Sequence, residues 1–333
     1  MKIKNLFVLS LAALSFVACS NEDEPIVPQE GSLVIDLSSV AAMSKADAAA
    51  TEGGIGDESK LQNVWVYAFD SDGNMYGTPQ SATVSSSDET TATLAWQLPV
   101  GSYTIAAVSG VTNAYTGVTT TTLPQKVVNL TDNTRSKFVM YGSEPVTITK
   151  GNTVNKTINV VRVLAGVKLV NIKTAFAESV PTEYKNATKT LASIKIVGSK
   201  ASALLSGAVN TDATAANDDD MTKATFTNGD AVTIATSFAE AAYNLSTAAR
   251  AYACPDAITR ITIGVSYGET LGTRYYSVTK TLLSPNTMYG LQVTITGIGS
   301  EDPNQPTPVG TGDYTIKAQD WTTGQLIEGD IEY

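Results

Sequence analysis

Residues 31–70 are GSLVIDLSSVAAMSKADAAATEGGIGDESKLQNVWVYAFD, in which two strand-like stretches are separated by a long polar one. In the first stretch, the aliphatic residues Leu33, Ile35 and Leu37 occupy alternate positions. Successive side chains of a strand point to opposite faces of a sheet, so this spacing predicts a strand with one buried face. The chain therefore opens with a strand that is separated from the next one by an unusually long connection.

That connection, residues 41–56, consists mainly of alanine, glycine and acidic residues around one basic residue, Lys45. Exposed polar segments of this kind are preferred sites of proteolysis, and a trypsin-like protease would cut between Lys45 and Ala46. Lys60 is the next basic residue and the alternative site. Cutting would release the first strand and leave unpaired backbone groups along an apolar groove, which is a template for another strand.

Alternating strand patterns recur along most of the remaining chain, with turn residues at short intervals. Leu94, Trp96 and Leu98 are one example. This pattern predicts an all-β protein built from antiparallel sandwiches, with a domain boundary near residues 163–168 that gives two halves of ordinary domain size. Residues 237–253 are rich in alanine and favour a helix instead.

Composition argues against several classes of function. The formal net charge is −10, with 22 Lys and Arg against 32 Asp and Glu, so we expect no nucleic-acid partner. Gly264–Gly268 matches the G-x-S-x-G string of serine hydrolases, but the chain has no histidine to act as base,. Asp70 begins a sequence similar to a calcium loop, but its twelfth position is Ser81 rather than glutamate, which favours a hairpin turn,. We expect neither an enzyme nor a cofactor or metal site.

The first 18 residues have two lysines followed by an apolar run, as in a secretory signal peptide,. This run is too short to span a bilayer comfortably. The sequence FVAC, ending at Cys19, resembles a bacterial lipobox, which implies acylation of Cys19, for example with palmitate. The alternative is an ordinary signal peptide cut nearby. The composition of residues 19–30 predicts an acidic spacer. If Cys19 is acylated, Cys254 has no disulfide partner, and the sequence does not indicate its role.

The end of the sequence contains a second candidate for an exchangeable strand. Residues 300–312, SEDPNQPTPVGTG, have the composition of a linker,. The apolar residues that follow it are Tyr314, Ile316, Ala318, Leu326 and Ile331. This segment could fold back in the monomer and act as a donor strand in a polymer, or it could simply be the last pair of strands of its own sandwich.

Several segments resemble the fimbrillins, the pilins of type V pili in Bacteroidales. They are NVWVYAFDSDGNMYG (63–77), LPVGSYTIAAVSGVTNA (98–114), NVVRVLAGVKLVNI (159–172), NTMYGLQVTITGIG (286–299) and KAQDW (317–321). The resemblance implies two transthyretin-like β-sandwich domains in tandem, at 31–165 and 166–333. It also implies an outer-membrane lipoprotein precursor that loses its first strand to a trypsin-like surface protease. The trimmed subunit would then polymerise by strand exchange into a cell-surface fimbrium that supports adhesion and biofilm formation.

This resemblance leaves three functions open. We favour a shaft subunit whose partners are copies of itself and accessory or tip subunits, although better-known relatives are cut after arginine rather than at a lysine such as Lys45. A tip adhesin would need no donor strand. A surface glycan-binding lipoprotein would expose a row of aromatic side chains, whereas Trp65, Trp96 and Trp321 fall on strand patterns that favour the core.

Overall fold

The computed structural model describes residues 29–39, 58–87, 89–134, 136–215, 250–280, 282–320 and 326–332. Strands dominate its regular structure, and the helical elements are short: a 3-10 turn (Leu130–Asp132) and α1 (Thr182–Asn186). The prediction of an all-β protein is confirmed. Within the described ranges, no helix is long and apolar enough to cross a membrane.

The strands up to residue 162, except Val127–Asn129, form two main sheets. They are β1 (Glu30–Ser38), β2 (Trp65–Phe69), β3 (Gln80–Ser81), β4 (Thr83–Val84), β5 (Thr91–Pro99), β6 (Gly101–Ser109), β7 (Val127–Asn129), β8 (Met140–Ile148), β9 (Thr153–Asn159) and β10 (Val161–Arg162). One sheet has the order β4-β5-β1-β9, and the other has the order β10-β8-β6-β2-β3. The first strand is therefore an interior strand of its sheet.

The strands from residue 165 onward take part in two further main sheets and in two short pairings. They are β11 (Ala165–Thr174), β12 (Thr190–Val197), β13 (Ser202–Leu204), β14 (Arg250–Ala253), β15 (Asp256–Ala257), β16 (Arg260–Ser266), β17 (Thr273–Val278), β18 (Leu282–Leu283), β19 (Thr287–Ile295), β20 (Thr307–Pro308), β21 (Tyr314–Asp320) and β22 (Leu326–Glu332). The orders of the main sheets are β14-β11-β19-β21-β22 and β12-β16-β17-β20, whereas β13 pairs with β7, and β15 and β18 pair with each other. The two sheet pairs are consistent with tandem sandwiches, which remain a prediction.

Backbone pairing also joins the two halves of the chain. Strand β7 pairs with β13 in an antiparallel ladder. The amide of Leu130 extends this ladder by donating to the Ala201 carbonyl at 2.8 Å, and the amide of Leu205 donates to the Lys126 carbonyl at 2.8 Å. Hydrogen bonds therefore cross the boundary expected at residues 163–168, and the division into separate domains stays a prediction.

The helix predicted over residues 237–253 is wrong for its last four residues. Arg250–Ala253 is strand β14, which pairs antiparallel with β11, with Ala253 opposite Ala165. Ala251 and Ala253 are both buried. Burial and a long-range ladder outweigh the helix propensity of alanine here. The preceding residues of the predicted helix lie outside the described ones.

Candidate functional site

Strand β1 lies between two neighbouring strands from Ser32 to Ser38. It pairs antiparallel with β5, from Glu30 opposite Pro99 to Ser38 opposite Thr91. On its other side it pairs in parallel with β9. Because both backbone edges are hydrogen-bonded, removing β1 would leave two unpaired edges facing each other across one strand width. We call this place the β1 slot: the position of residues 30–38 between β5 and β9.

The predicted inward-facing residues of β1 are buried. The exposed fractions of Leu33 and Ile35 are 0% and that of Leu37 is 1%. They belong to the same apolar cluster as Ile105 of β6 and Ile148 of β8, which are strands of the other main sheet in this half of the chain. Burying such a side chain is worth about 1.5–3 kcal/mol relative to leaving it exposed. The β1 slot would therefore be an apolar groove once emptied.

The chain segments before and after the long connection between β1 and β2 meet at Ser39 and Ser59. Ser39 follows β1, and its hydroxyl donates a hydrogen bond to the carbonyl of Ser59. The amide of Ser39 also donates to the Thr90 carbonyl at 3.1 Å. Both serines are buried. Residues 40–57, including Lys45 and Ala46, lie outside the described ones, as does Cys19.

A buried ionic cluster holds the far end of that connection. The Glu58 side chain is completely buried, and its carboxylate accepts hydrogen bonds from Arg250 and Tyr252 of β14. Arg162 of β10 donates through Nε to the Glu58 carbonyl at 2.9 Å and through Nη2 to Ser59 Oγ at 2.8 Å. We call Glu58, Ser59, Arg162, Arg250 and Tyr252 the junction cluster, because it ties the segment before β2 to both halves of the chain.

The Arg162 guanidinium of this cluster is completely buried next to a carboxylate. Burial lowers the pKa of the Arg162 guanidinium to about 10, and the neighbouring Glu58 carboxylate opposes that shift. Arg162 therefore remains a cation at neutral pH. Sequence reasoning missed the cluster because Glu58 and Arg250 are 192 positions apart. The only local indication of the cluster was the position of Arg162 within an apolar stretch, which predicts that its side chain is buried.

The alternative cleavage site, Lys60, lies beside this cluster. Its ammonium group is 2.9 Å from the Glu89 carboxylate. The neighbouring side chains are inaccessible, since the exposed fractions of Ser59 and Leu61 are 1% and 2%. A protease binds several residues around the bond it cuts in an extended form, so cleavage after Lys60 would first require Glu58, Ser59 and Leu61 to leave the core.

The predicted donor residues lie in the last two described strands. Tyr314, Ile316 and Ala318 are in β21, which pairs antiparallel with β19, and Ile316 and Ala318 are each 1% exposed. Leu326 and Ile331 are in β22, which pairs with β21 through an irregular register. In this state the segment completes a sheet of its own half, which both interpretations of the sequence allow. Its use as a donor stays a prediction.

The proline-rich segment before β21 is only partly linker-like. Thr307–Pro308 pairs in parallel with β17 as β20. The amide of Val309 donates to the Ser277 carbonyl at 2.8 Å. Most side chains of residues 300–312 remain exposed. A few backbone hydrogen bonds to β17 and the residues next to it therefore hold this segment on the surface.

Other candidates for chemistry have structural roles. Asp70 Oδ1 accepts the amides of Asp72 and Asn74 at 3.0 and 2.9 Å, as in a turn closed by its own side chain,. Gly264–Gly268 runs from β16 into the turn before β17, with Gly268 at a φ of 88°. That setting has strands on both sides of the turn, whereas a hydrolase nucleophile requires a strand followed by a helix.

The free thiol is buried, and the described tryptophans pack against the core. Burial raises the pKa of the Cys254 thiol to about 12, so it is protonated and poorly reactive at neutral pH,. Trp65 and Trp96 are partly buried and pack against the apolar cluster. Trp321 lies outside the described residues. The described part of the chain contains no group of three or more Cys, Asp or Glu side chains that could hold a metal ion.

Comparisons with solved structures agree with this fold. A candidate cell adhesion protein from Parabacteroides distasonis has a TM-score of 0.57 and 16% identity, with 90% of this chain and 99% of that chain covered. A second one from the same species has a TM-score of 0.52 and 14% identity, covering 89% and 100%. One from Bacteroides eggerthii has a TM-score of 0.51 and 16% identity, covering 90% and 98%. At these identities the likeness shows the fold alone.

Comparison with protein families identifies the chain more closely. No curated protein matches it. The model of the family described as "Fimbrillin-A associated anchor proteins Mfa1 and Mfa2" matches residues 31–321, which is most of the chain. The resemblance to fimbrillins noted in the sequence is thereby confirmed. The protein belongs to the family of fimbrillin-A associated anchor proteins Mfa1 and Mfa2, a family of cell-surface fimbriae.

Proposed function

We propose that this protein is a structural subunit of a type V fimbrium that assembles by strand exchange. It would be exported as a lipoprotein through Cys19, anchored in the outer membrane, and trimmed by a trypsin-like surface protease. The emptied β1 slot would then accept a strand from another subunit. The proposal assigns no catalytic step, cofactor or nucleic acid to the chain.

The observation that carries the proposal is the position of β1. The strand that precedes the cleavable connection is an interior strand with ladders on both sides and three fully buried aliphatic residues. A strand in that position gives up many hydrogen bonds and much apolar burial when it leaves. An incoming strand of similar pattern would regain both, which makes exchange favourable.

The surroundings of the connection support Lys45 as the cleavage site rather than Lys60. Glu58 and Ser59 are held in the junction cluster, and Leu61 is in the core. Cutting after Lys45 would leave these contacts intact. It would separate only the segment that contains β1 and Ser39 from the rest of the chain. The trimmed protein would keep its fold while losing the covalent link that retains β1.

A second role, as the anchor of the fimbrium, has support from the description of the matching family, which names anchor proteins. An anchor would keep its acylated Cys19 and remain uncut. A tip adhesin would be cut but would assemble without residues 313–333. These roles differ in the state of the amino terminus and in the need for the last strands.

The test is to incubate the purified precursor with a trypsin-like protease and to follow high-mass, detergent-resistant ladders on gels. We expect ladders whose subunits begin at Ala46 by mass spectrometry. A trimmed protein that stays monomeric with β1 still bound would contradict the proposal. Surface fibres that contain full-length acylated subunits at one end only would assign the anchor role instead.

A further inference from the structure

Strand β9 depends on β1 for its place in the sheet. Among the described strands, β9 pairs with β1 alone, from Thr153 opposite Ser32 to Asn159 opposite Ser38. It is the edge strand of that sheet, with β1 as its inner neighbour. Once β1 leaves, β9 therefore has no ladder within the described sheet, whereas β5 keeps its ladder with β4.

The backbone bonds at both ends of β9 also lead to β1. Before the strand, the amide of Ser32 donates to the Asn152 carbonyl at 3.0 Å. After the strand, the amide of Val160 donates to the Ser38 carbonyl at 2.9 Å. Because all these bonds end on the nine residues of β1, loss of β1 removes the ladder and the terminal bonds together.

Side-chain contacts hold β9 weakly. Of its seven residues, Ile158 is 0% exposed, and Val154 is partly buried against the apolar cluster. The ammonium of Lys156 lies 3.0 Å from the carboxylate of Glu144 in β8, and both side chains are partly exposed, so this ion pair adds little stability. One buried aliphatic side chain does not offset the conformational entropy lost by ordering seven residues. We therefore expect β9 to become an accessible chain segment when β1 is gone.

Lys156 is in the middle of this segment, where a trypsin-like protease would find a lysine in accessible chain. We propose, resting on the strand exchange above, that the Lys156–Thr157 bond is a second protease site that opens only while the β1 slot is empty. Water adds across this peptide bond and leaves a carboxylate on Lys156 and an amino group on Thr157. The ladder protects the bond in the precursor and in a filled subunit. A trimmed subunit that finds no partner is cut, which removes it from assembly.

A shift of β9 onto β5 would close the slot instead, and the far end of β9 opposes that shift. Neighbouring strands lie about 4.8 Å apart, so β9 would have to move by about one such spacing. Beyond β9 the chain continues into β10, where Val161 pairs with Tyr141 of β8. Gly142 of β8 packs so closely on this connection that an added Cβ atom would lie 2.1 Å from the Asn159 carbonyl oxygen. These contacts fix the end of β9 to the other sheet.

The second half of the chain provides a matched control. Strand β12 is also the edge strand of its sheet, and it also has a lysine in its middle, Lys195. Its ladder partner is β16 rather than β1, so this ladder survives the loss of β1. The residues beside this lysine, Ile194 and Ile196, are 3% and 0% exposed. Cutting after Lys195 therefore reports general unfolding, whereas cutting after Lys156 reports an empty slot.

The test uses trimmed protein from which the released amino-terminal fragment has been separated by gel filtration. Mass spectrometry follows cutting after Lys156 and after Lys195 by a trypsin-like protease. We expect cutting after Lys156 to be at least about 100-fold faster than in the uncut precursor, and cutting after Lys195 to change less than about three-fold. Products of cutting after Lys150 are counted separately, because this residue is exposed with β1 in place. Equal rates at Lys156 in the two forms would overturn the inference.

Refilling the slot with the chain's own first strand should restore protection. A peptide of residues 29–39 in excess should slow cutting after Lys156 at least about ten-fold and leave Lys195 unchanged. The matched control is the same peptide with Gly31→Val. A Cβ atom at Gly31 would lie 2.5 Å from the Thr149 carbonyl oxygen and 2.8 Å from Ile148 Cγ2, so valine does not fit there,. Equal protection by the two peptides, or none by either, would contradict the inference.

Variants of the uncut precursor test the same dependence without release of β1. Leu37 lies opposite Ile158, so Leu37→Ala weakens the contact between β1 and β9. Leu98→Ala is the matched control, because it removes an equally buried side chain from β5. At temperatures equally far below each melting temperature, Leu37→Ala should speed cutting after Lys156 at least about five-fold more than Leu98→Ala. Equal acceleration by both variants would show that β9 opens only with the whole half of the chain.

The proposed function and this inference fail in different ways. If trimmed protein releases β1 but never forms ladders, strand exchange fails, while rapid cutting after Lys156 would still show that β9 depends on β1. If trimmed protein keeps β1, strand exchange also fails, and the Leu37→Ala comparison decides the dependence. If ladders form and emptied monomers stay intact at Lys156, only the inference fails. Subunits within ladders should remain uncut there, because their slots are filled.

Discussion

Strands β1 and β22 lie near opposite ends of the sequence and have opposite positions in their sheets. The first has a neighbour on each side and contributes buried aliphatic residues to the core. The last has one neighbour, β21, and an irregular register with it. Each strand contains one glycine, Gly31 in β1 and Gly329 in β22. Removing β1 therefore costs two ladders and its apolar burial, and a replacement strand would regain both. Detaching β22 costs a single ladder.

This difference implies that the release of β1 and the detachment of β22 have separate causes. An interior strand with two ladders does not leave a stable sheet spontaneously, so a covalent cut is a reasonable requirement for emptying its slot. An edge strand gives up a single ladder and can detach by a local opening of low free energy. The following predictions test this contrast, beginning with the largest effect.

A charge in the interior strand should destabilise the protein far more than the same charge in the edge strand. We expect Ile35→Asp to lower the free energy of unfolding of the precursor by at least about 4 kcal/mol, because a carboxylate replaces a fully buried aliphatic group. Ile331→Asp should cost less than about 2 kcal/mol but should abolish ladder formation. Urea unfolding measures both, and equal losses would contradict the contrast.

Breaking the junction cluster should be the next largest effect. Glu58→Ala removes the partner of a buried arginine, Arg250, and we expect a loss of about 3–5 kcal/mol. The control is Glu144→Ala, which removes the partly exposed ion pair with Lys156 and should cost less than about 1 kcal/mol. Chemical denaturation at neutral pH compares them. A loss below 1 kcal/mol for Glu58→Ala would show that the cluster does not anchor the connection.

Proteolysis should distinguish the two lysines of the connection. We expect a trypsin-like protease to cut after Lys45 at least about 100-fold faster than after Lys60, equivalent to about 2.7 kcal/mol of local opening. Mass spectrometry of early products should detect a new amino terminus at Ala46. Lys45→Ala should delay release of β1, whereas Lys60→Ala should not. Early products that begin at Leu61 would contradict this order.

The smallest effect should come from the ion pair next to the junction cluster. Lys60 and Glu89 are both partly exposed, at 33% and 51% of their side chains. We expect Lys60→Ala to change the free energy of unfolding by less than about 1 kcal/mol, because water screens the pair. Thermal melting at two salt concentrations checks this. A larger loss would mean that the cluster extends to residue 60.

Much of the fold followed from local patterns. The alternation of Leu33, Ile35 and Leu37 predicted a strand with a buried face, and all three are buried. The turn at Asp70 followed from side chains that bond to their own backbone. The helix predicted up to residue 253 was wrong at its end because alanine favours a helix locally, while Arg250–Ala253 gains a ladder with β11. The lipidation site and the cleavage site stay predictions.

The sequence by itself determined which segments form strands, which face of each is apolar, and that a single lysine stands in a long polar connection after the first strand. These properties are set by neighbouring residues, since a strand repeats every two positions. Only the tertiary structure decided that β1 is an interior strand, that Glu58 meets Arg250, and that a backbone oxygen faces Gly31. Those facts depend on residues far apart in sequence, which meet only when the sheets have assembled.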